Sequence, residues 1–215
     1  MKEKIRRLTV MGVMAAISIV LVFFIHFPIF PQAPFLEYDP ADIPILITAL
    51  AYGPLDGMSV AVTAAVIQGL TVSAQSGPYG IMMHIISTCS LALTAGFIYR
   101  ARRDMTGAVA GLSGGVLVSA AIMAGANLII TPLFMGAPVE AVKAMLLPVI
   151  LPFNLIKGGI NAAVTVMAYK PVSVALRSMT GEPHGDSAKP KTAVLLSALA
   201  VIAVCAAAVY FINRA

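Results

Sequence analysis

The chain has 215 residues, of which 60% are hydrophobic and only 11% charged, and its formal net charge is +5. Soluble domains carry about 25% charged residues, so the composition excludes an ordinary water-soluble fold and indicates a multi-pass protein of the lipid bilayer. The Lys and Arg residues cluster beside the apolar runs, which makes the positive charge a topology signal and not a nucleic-acid surface.

The first apolar run, Leu8 to His26, follows Lys2, Lys4, Arg6 and Arg7. No small-residue cleavage site follows it, so it reads as a retained helix and not as a signal peptide. Within it, Gly12 and Ala16 form a small-xxx-small pair that permits close approach of another helix, either inside the bundle or in a partner. A Pro-rich loop over about 27–40 then carries Glu37 and Asp39. Asp39 and Asp42 precede the apolar stretch Ile43 to Leu50, where either can cap the coming helix.

Further helices are expected over about 41–53, 55–73, 80–100, 107–131 and 148–169, with Pro and Gly at the joints. The first of these is short for about 30 Å of hydrocarbon, which calls for tilt, an irregular continuation through Gly53-Pro54, or burial behind other helices. Residues 178–192 are polar and rich in helix breakers, as in a cytoplasmic linker, and 193–215 contain a last uncharged run long enough to span. The expected fold is thus an all-α membrane protein, a six-helix unit at 1–177 with one appended C-terminal transmembrane helix. With the N-terminus cytoplasmic, Arg100, Arg102, Arg103, Lys170 and Arg177 fall inside and the acidic loop faces out.

Chemistry is concentrated at 148–161, where Asn154 and Lys157 lie one helical turn apart inside an apolar segment. A Lys in hydrocarbon costs about 2.5–3.5 kcal/mol to insert, so it signals a functional site unless it snorkels to the interface. Asn154, Lys157 and Asn161 share one stripe of the helix and offer amide donors and acceptors to a polar, ring-shaped ligand. Asn127 lies about one turn below the outer end of the preceding helix, at similar depth, either joining that pocket or bonding between helices. No Gly-x4-Gly-Lys-Ser/Thr loop and no His-Glu-x-x-His helix occurs, so neither a catalytic residue, a metal nor a cofactor is expected, and any ATP hydrolysis belongs to partners. Cys89 and Cys205 read as small buried hydrophobes.

Residues 152–158, Pro-Phe-Asn-Leu-Ile-Lys-Gly, resemble the sixth-helix signature of riboflavin-specific S components, the membrane-embedded substrate-binding subunits of energy-coupling factor (ECF) transporters. Three further blocks resemble that family in order: residues 35–44, Phe-Leu-Glu-Tyr-Asp-Pro-Ala-Asp-Ile-Pro; residues 53–57, Gly-Pro-Leu-Asp-Gly; and Asn127 with Pro132. The resemblance covers about residues 1–177 and implies a six-helix S component in the cell membrane. Such a subunit holds riboflavin near the outer face and docks on a transmembrane coupling subunit with two ATPase subunits.

The resemblance assigns Asn127, Asn154 and Lys157 to the flavin. It places the loop residues Leu36, Glu37, Tyr38 and Asp39 over it, and it puts Gly12 and Ala16 at the coupling subunit. Phe35, Tyr38, Phe134 and Phe153 are candidates for apolar and stacking walls. The chain departs from the pattern at Gln68-Gly69-Leu70-Thr71, where the family carries a Lys-Asn type pair, and at His84, near a family Asn. His84 is a candidate ligand contact or a partner for a neighbouring helix. These departures leave another vitamin or a flavin analogue as the alternative ligand; outside the class stands a structural membrane protein.

Overall fold

A computed structural model describes residues 2–180. Helix α1, Lys2–Phe24, leads into a loop whose two-residue strands β1, Phe27–Pro28, and β2, Glu37–Tyr38, pair antiparallel. Then come α2, Asp42–Ala51, and α3, Pro54–Leu70. A 3₁₀ turn, Ala74–Ser76, precedes α4, Gly77–Ala101, and α5, Met105–Met135. The chain closes through α6, Val139–Met145, a π-helical turn, Leu146–Ile150, and α7, Leu151–Thr180. Apart from 178–180 at the end of α7, the linker and final span expected at 178–192 and 193–215 lie outside the described residues.

Among the described residues, four segments are long and apolar enough to cross a bilayer: Lys4–Phe24, Ala74–Ala101, Met105–Met135 and Val139–Tyr169. On α1 the buried residues Val10, Met14, Ser18 and Val22 recur every fourth position and face the bundle, while Ile5, Leu8, Val13, Ile17 and Val20 are exposed. An apolar outer face of this kind is what lipid permits.

Burial accounts for the short second helix. Eight of the ten residues of α2 are buried, among them Ile45, Leu46, Ile47 and Leu50. They pack with Val60 and Ala64 of α3, Leu91 and Ala95 of α4, Leu112 of α5 and Val166 of α7 in one core. The α2–α3 joint depends on two glycines. Gly53 has φ 121°, which L side chains rarely adopt, and a Cβ on Gly57 would lie 2.4 Å from the Ala49 side chain.

Helix boundaries differ from expectation where backbone donors are missing or replaced. Asp104 Oδ1 caps α5 by accepting from Gly107 N at 2.7 Å. At the other end α5 does not stop at Thr131 but carries Pro132 for one more turn, to Gly136 in the left-handed region at φ 61°. Pro148 and Pro152 lack an N–H to donate, and the ladder widens to the π turn between α6 and α7. Lys143, in the stretch between the helices expected at 107–131 and 148–169, stands exposed on α6 with Glu140 4.0 Å away.

Candidate substrate-binding site

The first loop builds one wall. Phe30, Ala33 and Leu36 are buried against Val142, Val149, Ile150, Phe153 and Ile156, a second apolar cluster that seats the loop on α6, the π turn and α7. Polar bonds then fix its end. Lys157 Nζ donates to Asp39 Oδ2 at 2.6 Å, and Asn161 Nδ2 donates to Asp39 O at 3.0 Å and Asp42 Oδ2 at 2.9 Å. Thr88 Oγ1 donates to Asp42 Oδ1 at 2.8 Å, and Ser18 Oγ to Ala41 O at 2.8 Å. Loop, α1, α4 and α7 are thereby joined through groups almost wholly withdrawn from solvent.

Neither Asp39 nor Asp42 caps α2 in the expected manner. The cap position belongs to Ala41, without a side-chain bond, and Asp39 Oδ1 instead accepts from Ala41 N at 3.1 Å. Asp42 opens the helix while both its oxygens are taken by α4 and α7. Burial raises the Asp39 carboxyl pKa, but the adjacent Lys157 ammonium outweighs it and holds the group below its ordinary 3.8. The Tyr38 phenol is pushed above 10.0 by burial and by the nearby Asp39 charge.

Next to this network lies a cavity of 160 Å³ between the loop, α3, α4, α5 and α7. Leu36, Glu37, Asp39, His84, Asn127, Phe153, Asn154 and Lys157 all line it, so the structure brings together the candidate ligand residues except Tyr38 and Asn161. Tyr38 is not among the lining residues. Neighbours on a strand point to opposite faces: Glu37 faces the cavity, while the Tyr38 hydroxyl donates to Asn161 Oδ1 at 3.1 Å and its ring packs on Phe27. Asn161 is likewise withdrawn from the ligand stripe, because loop and helix partners occupy its amide.

The remaining amides are held by their own helices. Asn127 Nδ2 donates to Met123 O at 2.7 Å and its Oδ1 accepts from Thr131 Oγ1 at 2.8 Å. None of its bonds among the described residues crosses to another helix. Asn154 Nδ2 donates to Ile150 O, in the π turn, at 2.8 Å, leaving its second N–H and Oδ1 without partners among the described residues. His84 Nε2 lies 2.7 Å from Gln68 Oε1 and donates to it, so the two departures from the family pattern form a pair on the cavity wall.

Phe35, Phe134 and Phe153 supply apolar walls. Tyr79, which sequence reading missed, joins them with its ring 6.4 Å from Phe134, while Phe35 lies 6.2 Å from Phe134. Thr131, also missed, stands one turn after Asn127 and was legible only as an i+4 partner. The cavity thus offers amide donors and acceptors, one ammonium and flat apolar walls at the loop end of the bundle. Gly12 and Ala16 lie elsewhere, exposed on the outer face of α1, and a Cβ on Gly12 would meet nothing within 4 Å.

Residues 6–169 match the family described as ECF transporter, substrate-specific component. Among curated relatives, the riboflavin transporter RibU of Staphylococcus aureus (strain TCH60) is 28% identical over 178 residues, covering 80% of this chain and 93% of that protein. The riboflavin transporter FmnP of Bacillus subtilis (strain 168) is 30% identical over 164 residues, covering 72% of this chain and 85% of that protein. A solved S component of a bacterial ECF transporter superposes with a TM-score of 0.70 at 28% identity, covering 81% of this chain and 99% of that one. The fold and the family match agree on the same membrane unit, and the chain belongs to the substrate-specific components of ECF transporters.

Proposed function

We propose that this chain binds riboflavin in the loop-end cavity and delivers it inward as the substrate-binding subunit of an ECF transporter. The observation that carries the reading is the convergence of Asn127, Asn154 and Lys157 with Phe35, Phe134 and Phe153 on one cavity, in a chain whose relatives are named riboflavin transporters. An isoalloxazine edge alternates carbonyl and ring-nitrogen acceptors with one imide donor. Amides answer both halves of that pattern, Lys adds donors, and aromatic rings suit the flat tricycle.

The N-terminus lies in the cytoplasm and the cavity faces out, on the Lys/Arg asymmetry. A transmembrane coupling subunit and two ATPase subunits supply the energy, since the sequence carries no phosphate-binding loop of its own. The exposed Gly12 and Ala16 on α1 form the small-residue seam for the coupling subunit, their exposure favouring this over packing within the bundle.

The Gln68–His84 pair favours a second ligand, a flavin analogue, because it sets an amide and an imidazole against the substrate where the family pattern has a Lys-Asn type pair and an Asn. Protein purified from cells grown with riboflavin should carry a yellow, fluorescent ligand, identified by mass spectrometry of the denatured extract. A different vitamin in the extract would keep the transport role and remove riboflavin. A colourless, folded preparation with no thermal shift on riboflavin addition would overturn the assignment.

A further inference from the structure

At the opposite end of the bundle, the start of α1, the α2–α3 joint and the end of α4 enclose a second cleft of 430 Å³, bordered by Arg7, Arg100, Arg103, Leu55 and Phe97. Arg7 is already engaged: it donates to the Asp56 carboxylate and, at 2.8 Å, to Tyr52 O. That pairing neutralises Asp56, the one acidic side chain among the described residues lining the cleft. Arg100 and Arg103 are exposed and make no hydrogen bond or ion pair among the described residues, so the cleft retains two free guanidinium groups. The first turn of α3 also borders it at the positive end of the helix dipole; Pro54 has no N–H and Gly57 N donates to Gly53 O, so the N–H groups this turn presents are those of Leu55 and Asp56.

Position and flanks narrow the anion. Arg100 and Arg103 stand where the spanning segment Ala74–Ala101 ends, at the boundary of hydrocarbon and water. Beside them the apolar side chains of Leu55 and Phe97 are 62% and 55% exposed, surface of the kind that lipid chains cover on a spanning bundle. An anion with fatty chains satisfies both features at once, since its phosphate meets the guanidinium fork while its chains lie along Leu55 and Phe97. A zwitterionic headgroup brings an ammonium into the same arginines. We propose that this cleft is a binding site for the phosphodiester headgroup of an anionic membrane lipid, held by Arg100 and Arg103 against the first turn of α3.

The test uses the full chain, delipidated and reloaded with equimolar phosphatidylglycerol and phosphatidylcholine, with retained lipid read by native mass spectrometry. Preferential retention of phosphatidylglycerol is expected. Each basic residue near anionic lipid is worth about a fivefold preference, so R100Q/R103Q should lose roughly twenty-five-fold. R100K/R103K should recover part of it, and K143A, at the other end, should leave it unchanged. In parallel, a photoreactive phosphatidylglycerol should label wild type at the α3 start and Phe97, which keeps the proposal testable if the double variant misfolds. Equal retention of the two lipids, preference undiminished in a folded R100Q/R103Q variant, labelling elsewhere, or full displacement by free glycerol phosphate would each overturn it.

Discussion

Lys157 Nζ donates to Asp39 Oδ2 over 2.6 Å, fastening the second turn of α7 to the first loop at side-chain exposures of 13% and 7%. The same ammonium lines the cavity, so one group both holds the loop and faces the cavity. Breaking a buried pair by removing one partner costs about 3–5 kcal/mol, whereas replacing both with apolar residues is often neutral. K157M is therefore expected to lower thermal stability and abolish riboflavin binding, and D39L/K157M to restore stability without restoring binding. Recovery of affinity in the double variant would remove Lys157 from the ligand.

The amides make a cleaner case, because they do not fasten the loop. Among the described residues Asn154 has spare hydrogen-bonding capacity, and Asn127 keeps one N–H beyond its two bonds. Loss of one donor to a buried ligand acceptor costs about 1–3 kcal/mol, or roughly five- to a hundred-fold in affinity. N154A and N127A should each weaken binding to that extent in calorimetry or fluorescence titration, while K143A on exposed α6 stays at wild-type affinity. Wild-type affinity in folded N154A/N127A protein would place the ligand elsewhere.

Acid should loosen the first loop late. Asp39 has a folded pKa depressed below its ordinary 3.8, chiefly through Lys157 against the opposing effect of burial. A depressed carboxylate contributes stability that is fully present above its unfolded pKa and is lost as pH falls through the lower, folded one. The stability gap between wild type and D39N should therefore stay constant from neutral pH down to the ordinary carboxylate range and shrink only below it. Thermal melts across that range check the sign; a gap closing near pH 6 would contradict the Lys157–Asp39 assignment.

Transport and binding should separate on α1. Gly12 and Ala16 face outward, so G12L and A16L enlarge a surface without entering the core. Uptake in cells that supply the coupling and ATPase subunits should fall, while affinity for riboflavin in purified protein stays unchanged. The chain expressed without those subunits should give no uptake. Normal transport by both variants would move the partner seam to another face.

The spans and the polar stripe of α7 were legible because both follow from short-range spacing: apolar runs of sufficient length, and Asn154 three residues before Lys157. The Asp39–Lys157 and Asn161–Asp42 bonds were not, since their partners are separated by 118 and 119 residues and no local pattern pairs them. The direction of Tyr38 was lost for another reason. A Pro-rich loop does not announce a two-residue strand, and only the strand's alternation puts Glu37 and Tyr38 on opposite sides. The π turn lay behind Pro148 and Pro152, which signal interruption but not its form.

Asn161 tests that difference between stripe and network. Its spacing placed it with the ligand residues, yet it is fully buried, with Oδ1 accepting from Tyr38 and Nδ2 donating to Asp39 O and Asp42. N161A strands a carboxylate oxygen, a carbonyl and a phenol together, each worth about 1–3 kcal/mol when left unpaired and buried. The expected outcome is a large loss of thermal stability and greater protease cleavage in the first loop, with or without ligand. N154A should leave both nearly at wild type and act on affinity alone. If N161A instead melts like wild type while losing riboflavin selectively, the amide belongs to the ligand and the loop is held by Lys157 without it.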